Sequence, residues 1–339
     1  MTTPSDFKPQ PAVAVYGAAG HTGRFVVREL ARRGFGAIAI GRNAASLAAA
    51  DFPAGVAREV AGVDDPVALD RALAKADAVI NCAGPFLDTA EPLVEAALRA
   101  RIPYLDVAAE QGSAQGLFER YTEAAETAGV AVVPAMGFYG GLSDLLVTSA
   151  MGDWTQADEV RIGIALDSWK PTEGTRITGR RNTVPRLNIR DGELSLLPAP
   201  EPNPAWPFAA PFGAQDVVEL PFSEVILIAR HLRVSRLSTY LNTAPLRDLR
   251  DAATPPPEAV DASGRSAQTF LVEVEVRKGD DVRRASARGQ DIYAVTAPLV
   301  VEAVGRILST AKGRGGVFAP GALFDAQDFL AALAPDIVP

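Results

Sequence analysis

The sequence predicts an α/β chain whose first part is a doubly wound parallel sheet and whose second part is an α+β domain on a largely antiparallel or mixed sheet. Up to about residue 150, short apolar segments alternate with amphipathic segments of helical period, which is the pattern of strands followed by helices. A glycine-rich turn joins the first of these strands to the first helix. After that point an alternation of period two dominates and predicts antiparallel strands.

The composition excludes several classes of protein. The 339 residues are enough for two domains, and 48% hydrophobic with 22% charged residues is typical of a globular protein. The net charge of −8 disfavours binding to nucleic acid or to an anionic membrane surface. A single cysteine, Cys82, and two histidines predict neither an internal disulfide nor a metal site. Without a bilayer-length apolar stretch or the apolar core of a signal peptide, we expect a cytoplasmic protein with no membrane insertion.

The first strand and its turn carry the strongest signal. Val13–Tyr16 predicts a buried strand, and three glycines follow at the spacing G-x-x-G-x-x-G, namely Gly17, Gly20 and Gly23. The first permits a tight turn, the second lets the backbone approach a pyrophosphate, and the third lets the helix pack on the strand. The free N–H groups at the N-terminus of the helix attract the anion. The other candidates for cofactor contacts in this turn are Ala19, His21 and Thr22. The alternative is a glycine-rich loop that holds no nucleotide.

The end of the second strand indicates which dinucleotide binds. The apolar segment 37–40 is followed by Gly41, Arg42 and Asn43, and the next acidic residue is Asp51. A free ribose 2′-hydroxyl is usually met here by Asp or Glu, whereas a guanidinium suits a 2′-phosphate. The sequence therefore favours NADP(H) over NAD(H), with a solvated arginine at a strand end as the alternative.

The remaining elements follow in order. Strands are predicted in 56–65, 77–86, 103–110 and the start of 130–146, and helices in 66–76, 90–102, 112–129 and the end of 130–146. Beyond these, 269–289 predicts a hairpin that turns at the sequence KGDD, and 294–312 predicts a long helix. We therefore expect a dinucleotide-binding domain in 1–150 and a substrate-binding and dimerisation domain in 151–293, with 294–339 able to pack back on the first domain. The proline-rich segment 198–212 is either a stiff surface loop or a substrate lid.

Seven segments resemble those of a known family: GAAGHTGR (17–24), GRN (41–43), NCAGPF (81–86), YLDVAAE (104–110), GFYGGLSDLL (137–146), GQDIYAVTAPLVVEA (289–303) and GVFAPGALFDAQDFL (316–330). In them the chain resembles the saccharopine dehydrogenase-like NADP(H) oxidoreductases, which include trans-acting enoyl reductases. The resemblance implies a Rossmann domain, a second domain on a mixed sheet, hydride transfer with NADP(H), and a homodimer. Better-known members have GFxPG where this chain has GFYGG, so Tyr139 and Gly140 depart from the pattern of the family.

The resemblance also implies cofactor contacts. Gly17, Gly20, Gly23 and Arg42 would bind phosphates, and Asp64 or Asp65 would lie near the adenine. The segment 81–86 would line the nicotinamide side, and its candidate residues are Asn81, Ala83, Gly84, Pro85 and Phe86.

The candidates for proton transfer follow the predicted strands. Tyr139 lies in a glycine-flanked turn and would protonate a reduced carbonyl or imine, or else it packs the loop. Asp106 would orient a ring amide or a water molecule, or cap the next turn. Cys82 follows an apolar strand, where a buried and inert thiol is the alternative. We expect His21 to make a structural or cofactor contact and His231 to lie at the surface.

Two further observations bear on the substrate and the class of enzyme. Five arginines lie in 174–190 without an intervening acid, so Arg176 and Arg180 are candidates to bind an anionic substrate group, unless the cluster is a solvated face. None of the six tyrosines has a lysine four residues later, which excludes the Tyr/Lys pair of ordinary short-chain dehydrogenases. An oxidoreductase acting on a C=N, C=O or C=C bond of a small substrate is expected. The alternative is a non-catalytic protein that senses NADP(H).

Overall fold

The computed structural model describes residues 10–199, 204–310 and 314–338. Two sheets and the helices around them account for most of these residues. The strands are β1 (Ala12–Tyr16), β2 (Gly36–Gly41), β3 (Ala57–Val60), β4 (Ala78–Asn81), β5 (Tyr104–Asp106), β6 (Ala131–Val133), β7 (Gln156–Leu166), β8 (Leu187–Arg190), β9 (Glu193–Leu196), β10 (Ala205–Pro207), β11 (Ala214–Glu219), β12 (Arg233–Asn242), β13 (Thr269–Lys278), β14 (Asp281–Gln290), β15 (Gly316–Val317) and β16 (Ile337–Val338).

The helices lie between and after these strands, and α1, α3, α4, α5, α6 and α10 fall in segments that the sequence predicts to be helical. They are α1 (His21–Arg32), α2 (Ala44–Ala49), α3 (Pro66–Leu73), α4 (Phe86–Ala100), α5 (Gln111–Ala128), α6 (Ser143–Met151), α7 (Glu173–Arg181), α8 (Glu224–Ala229), α9 (Ala244–Arg250), α10 (Thr296–Thr310), α11 (Pro320–Leu323) and α12 (Ala326–Ala331). A short π-helical turn, Phe138–Leu142, leads directly into α6.

The first sheet has seven parallel strands in the order β15-β6-β5-β4-β1-β2-β3. The order reverses between β1 and β4, and this is the switch point at which open α/β sheets bind their ligands. The predicted doubly wound fold is therefore confirmed, although several strands are shorter than their apolar segments. The predicted strand 56–65, for example, pairs over only four residues of β3.

The second sheet is mixed. Its main path is β10-β11-β12-β7-β13-β14-β16, and β8 and β9 extend from β12. β12 and β7 are parallel, whereas β7, β13 and β14 are successive antiparallel neighbours. The hairpin of β13 and β14 turns at Gly279 and Asp280, as the KGDD segment predicts.

The inner face of the second sheet packs against the first domain through α6. On β13 the alternating side chains of Phe270, Val272, Val274 and Val276 are buried on one face of the strand. They belong to one hydrophobic core that also includes Val26 on α1. Because this core is continuous, the two sheets are held in a fixed relation around the switch point.

The last part of the chain returns to both sheets. α10 packs against α1, and β15 lies beside β6 at the edge of the first sheet. β16 pairs with β14 in the second sheet. The segment after residue 294 therefore connects the two domains.

The proline-rich segment 198–212 lies partly outside the described residues. Within the part that the structure describes, Trp206 and Phe208 are buried on the outer face of the second sheet. A Cβ on Gly163 would lie 2.4 Å from the indole ring, so this glycine creates the space for Trp206. The indole Nε1 donates to Glu273 at 2.8 Å. These contacts support the surface loop and not the substrate lid.

Candidate functional site

The glycine turn has the geometry of an anion-binding site. Gly17 has φ +78°, and a Cβ there would lie 2.8 Å from the Cβ of Ala83 at the end of β4. Gly20 precedes the first residue of α1 and provides no side-chain cap, and the first turn of the helix contains no acidic residue. The N–H groups of that turn are therefore open to a ligand, and the helix dipole favours a negative charge. A pyrophosphate fits this turn.

Arg42 lies at the end of β2 with its side chain exposed, and it has no hydrogen bond or ion pair among the described residues. Asn43, the next residue in the chain, caps α2 by accepting from Ser46 N at 2.9 Å. Asp65 caps α3 by accepting from Ala68 N at 2.9 Å. Asp64 is exposed and shares the electrostatic environment of Tyr16 with Arg42. The guanidinium is thus available for a 2′-phosphate, and Asp64 is better placed than Asp65 to meet the adenosine.

The segment after β4 forms a turn that side chains hold from beneath. Asn81 is fully buried; its Oδ1 accepts from Ala83 N at 3.0 Å and its Nδ2 donates to Thr89 and Tyr104. Asn81 therefore shapes the turn of Ala83, Gly84, Pro85 and Phe86 from below. A Cβ on Gly84 would lie 2.6 Å from the hydroxyl of Thr178, so α7 crosses directly over this turn.

The contacts of Asp106 and the raised pKa of Cys82 favour the structural alternative for both side chains over a catalytic role. Asp106 is fully buried, and its carboxylate accepts from Ala108 N, Ala135 N and the hydroxyl of Tyr104. Burial raises the pKa of Asp106 to about 6 against the lowering effect of these bonds. Burial, together with the charge of Asp106, also raises the pKa of the Cys82 thiol far above its usual range, so a thiolate is disfavoured.

Tyr139 lies in the π-helical turn between other aromatic rings. Its ring stacks on Phe222, with centroids 4.2 Å apart, and on Trp169 at 5.4 Å. Its hydroxyl is buried and has no hydrogen-bond partner among the described residues. Burial raises the pKa of Tyr139 well above its usual value, so the hydroxyl keeps its proton.

His21 and Tyr293 connect the glycine turn to α7. The two rings meet edge to face with centroids 5.4 Å apart. The hydroxyl of Tyr293 is 2.9 Å from that of Thr175 and accepts from the indole of Trp169 at 3.1 Å. Burial lowers the pKa of His21, partly offset by the charge of Asp291, so the imidazole is neutral at pH 7 and suits a contact better than acid catalysis. Sequence reasoning missed Tyr293, although it lies in the GQDIYAVTAP segment that carries the resemblance.

Three of the five arginines in 174–190 differ in what their side chains contact. Arg176 on α7 donates through one guanidinium nitrogen to the carbonyls of Asp251 and Thr254, at 3.1 and 2.8 Å, and its substrate role stays a prediction. Arg180 is exposed beside Glu173, and its substrate role stays a prediction. Arg181 forms an ion pair with Asp88, which links α7 to α4.

His231 does not lie at the surface as expected. Its Nε2 is 2.7 Å from Oδ1 of the fully buried Asp144, whose Oδ2 accepts from Gly321 N at 2.7 Å. Burial lowers the pKa of His231, but the charge and the hydrogen bond of Asp144 more than offset it and raise it. The prediction was wrong because 87 residues separate the two partners, and only the fold brings them together.

In the segments that the structure describes, no cluster of three or more His, Cys, Asp or Glu side chains is arranged to hold a metal ion. None of their helices combines the length and the apolar character needed to cross a bilayer.

Comparison with known proteins identifies the first domain. Residues 13–136 match the family model of the saccharopine dehydrogenase NADP binding domain. A probable mitochondrial saccharopine dehydrogenase-like oxidoreductase of Arabidopsis thaliana is 27% identical over 188 residues, which cover 49% of this chain and 41% of the relative. A trans-acting enoyl reductase of Mycobacterium bovis is 30% identical over 146 residues, covering 40% of this chain and 34% of the relative. The chain thus matches less than half the length of these relatives.

The fold match extends over both domains. Saccharopine dehydrogenase (L-Glu forming) of Saccharomyces cerevisiae superposes with a TM-score of 0.67 and 15% identity, covering 95% of this chain and 97% of that one. At this identity the match concerns the fold alone. The N-terminal domain therefore matches the saccharopine dehydrogenase NADP binding domain, which supports NADP(H) as its cofactor, and the chain as a whole has the fold of saccharopine dehydrogenase.

Proposed function

We propose that the chain is an NADP(H)-dependent oxidoreductase that transfers a hydride to or from a C=N, C=O or C=C bond of a small substrate. One observation carries the proposal. The open N-terminus of α1, the turn after β4 and the buried hydroxyl of Tyr139 all lie around the carboxyl edge of the first sheet, and α7 of the second domain crosses it. In open α/β sheets this edge is where a dinucleotide and its substrate bind.

The side chains divide the work. The backbone of Gly17, Gly20 and Gly23 would bind the pyrophosphate, and Arg42 the 2′-phosphate. Residues 83–86 would flank the nicotinamide, which supplies or accepts the hydride when the cofactor is bound. α7 would exclude water through Thr178 above Gly84.

Tyr139 is proposed to move the proton that accompanies the hydride. Its hydroxyl is protonated at neutral pH and makes no hydrogen bond to a described residue, so its proton is directed at no other acceptor of the chain. The stack of Trp169 and Phe222 fixes the ring, so the hydroxyl is held in one direction. General acid catalysis of this kind contributes about a hundredfold or more to the rate.

The experiment is a screen of NADPH oxidation against carbonyl, imine and enoyl acceptors, followed by Tyr139→Phe on the best acceptor. We expect this variant to lose about a hundredfold in kcat while its Kd for NADPH stays unchanged. The matched control is Tyr240→Phe, because Tyr240 lies beside Trp206 on the outer face of the second sheet. Equal losses in both variants would contradict the role of Tyr139.

A non-catalytic NADP(H) sensor is the second candidate, and one observation favours it. Cys82 and Asp106 have structural surroundings, which leaves the hydroxyl of Tyr139 as the one remaining acid of the three that the sequence suggests. A sensor would bind both redox forms of the cofactor and oxidise NADPH with no acceptor. An enzyme would turn over at least one class of acceptor.

We also propose a cytoplasmic homodimer that meets through the outer face or an edge of the second sheet. That face carries a network of charges in which Glu159 pairs with Arg236 and Arg277, and Glu275 with Arg161 and Arg284. Light scattering of the purified protein tests the assembly. Cell fractionation tests the location.

A further inference from the structure

Glu110 has a carboxylate that the chain satisfies only in part. It precedes α5, its residue is 1% exposed, and its Oε1 accepts from Phe86 N at 2.9 Å. Its Oε2 is buried and has no hydrogen-bond partner among the described residues. A buried carboxyl oxygen without a donor is costly, so this position calls for a donor that the chain itself does not supply.

No described residue donates to Oε2 of Glu110. The amide of Gln111 donates to the carbonyls of Leu187 and Phe222, and the hydroxyl of Ser223 donates to the carbonyl of Ala108. The hydroxyl of Ser113, in the first turn of α5, is buried and makes no hydrogen bond to Glu110 or to any other described residue. A ligand that brings a donor group would fit this oxygen.

The position of Glu110 indicates which ligand. Phe86 closes the turn after β4, and the other end of that turn, Ala83, lies against Gly17 in the glycine turn. Glu110 thus holds the turn that would flank the nicotinamide. The nicotinamide carries one group that donates hydrogen bonds, the amino group of its carboxamide.

We infer that Oε2 of Glu110 accepts a hydrogen bond from the carboxamide amino group of the bound nicotinamide. The inference rests on the proposed function, because it needs NADP(H) in the glycine turn. It makes Glu110 a positioning residue that fixes the rotation of the nicotinamide ring. Burial raises the pKa of Glu110 to about 7, against the lowering effect of the Phe86 N–H, and a second donor would favour the ionised form further.

A cofactor analogue tests this contact through binding alone. In 3-acetylpyridine adenine dinucleotide phosphate a methyl group replaces the amino group. We expect the wild-type protein to bind NADP+ about tenfold or more tightly than the analogue, because a hydrogen bond to a charged acceptor is lost. Equal affinities in the wild-type protein would overturn the inference without the use of any variant.

The variant Glu110→Gln tests whether Glu110 is the group that accepts this hydrogen bond. Its carbonyl oxygen can still accept from Phe86 N, while its amide nitrogen would face the carboxamide amino group as a second donor. We expect NADP+ to lose its advantage over the analogue, with little change in the Kd of the analogue. The matched control is Glu224→Gln, because Glu224 is also a buried carboxyl with one unpartnered oxygen and a pKa raised to about 7 by burial.

The outcomes are distinct. Loss of the preference in Glu110→Gln alone supports the contact, whereas equal loss in both variants, or no loss in either, overturns it. If the wild-type protein binds neither NADP+ nor the analogue, cofactor binding itself has failed, and the inference fails with it. Circular dichroism and thermal unfolding of each variant show whether the fold is kept.

Discussion

Gly23 is the residue of the glycine turn whose replacement should damage the fold most. It lies in the first turn of α1, and a Cβ at this position would be 2.3 Å from the carbonyl oxygen of Gly17 and 2.8 Å from the Cα of Ala18. Both neighbours are backbone atoms of the turn, which follows a fully buried strand. Neither can rotate aside, so Gly23→Ala forces α1 away from β1.

The size of the effect follows from these contacts. Overpacking a core by one methyl group usually costs about 1–3 kcal/mol, and the upper end applies where only backbone can yield. We therefore expect Gly23→Ala to lower the free energy of unfolding by about 3 kcal/mol. At Gly20, which precedes the helix with φ −70°, a Cβ would meet only the carbonyl of Gly17 at 3.1 Å. Gly20→Ala should therefore cost about 1 kcal/mol or less.

The assay pairs urea unfolding, followed by tryptophan fluorescence, with titration of NADPH. Gly23→Ala should shift the unfolding midpoint strongly. Gly20→Ala should shift the midpoint much less and lose affinity, because its methyl group stands where the pyrophosphate would approach. If Gly23→Ala unfolds within about 1 kcal/mol of the wild-type protein, the packing argument for this turn is wrong.

Three further predictions concern other parts of the chain. Because Asp144 raises the pKa of His231, the pair stabilises the fold fully below about pH 6.5, and this stabilisation is lost as the pH rises through the higher folded-state pKa. In chemical unfolding, His231→Asn should therefore lower the free energy of unfolding by about 2 kcal/mol at about pH 6 and by less at about pH 9. Gly163→Ala should displace Trp206 and shift the tryptophan emission to longer wavelength, and an unchanged spectrum would count against this packing. Cys82→Ala should keep NADPH affinity and turnover. A thiol reagent should modify the folded wild-type protein more slowly than the unfolded chain, because the pKa of the partly buried thiol is raised, and equally fast modification in both states would refute this.

The first domain could be predicted from the sequence because its signals are local. The strand of Val13–Tyr16, the three glycines and the helix after them lie within 20 residues, and each glycine has one physical task. The edge strand β15 could not be predicted, because it pairs over only Gly316 and Val317 and has no periodicity to detect. The buried state of His231 was missed for a related reason, since its partner is distant in the chain.

The candidate site was predicted unevenly. The glycine turn and the free guanidinium of Arg42 follow from residue type and spacing. The bonds of Arg176 to backbone carbonyls depend on how α7 lies against residues 251–254, which no local pattern encodes. Glu110 stands out only when its hydrogen bonds are counted, because a sequence does not show which oxygen lacks a donor.

The central claim is that NADP(H) binds in the glycine turn and that Arg42 selects it. The most direct test is a titration of the wild-type protein and Arg42→Ala with NADPH and NADH, followed by tryptophan quenching and nicotinamide emission. We expect the wild-type protein to bind NADPH tightly and NADH weakly. In the variant, the advantage of NADPH should fall by about tenfold or more, as expected for a lost charge-assisted hydrogen bond. Failure of both nucleotides to bind the wild-type protein, or an unchanged preference in the variant, would contradict it.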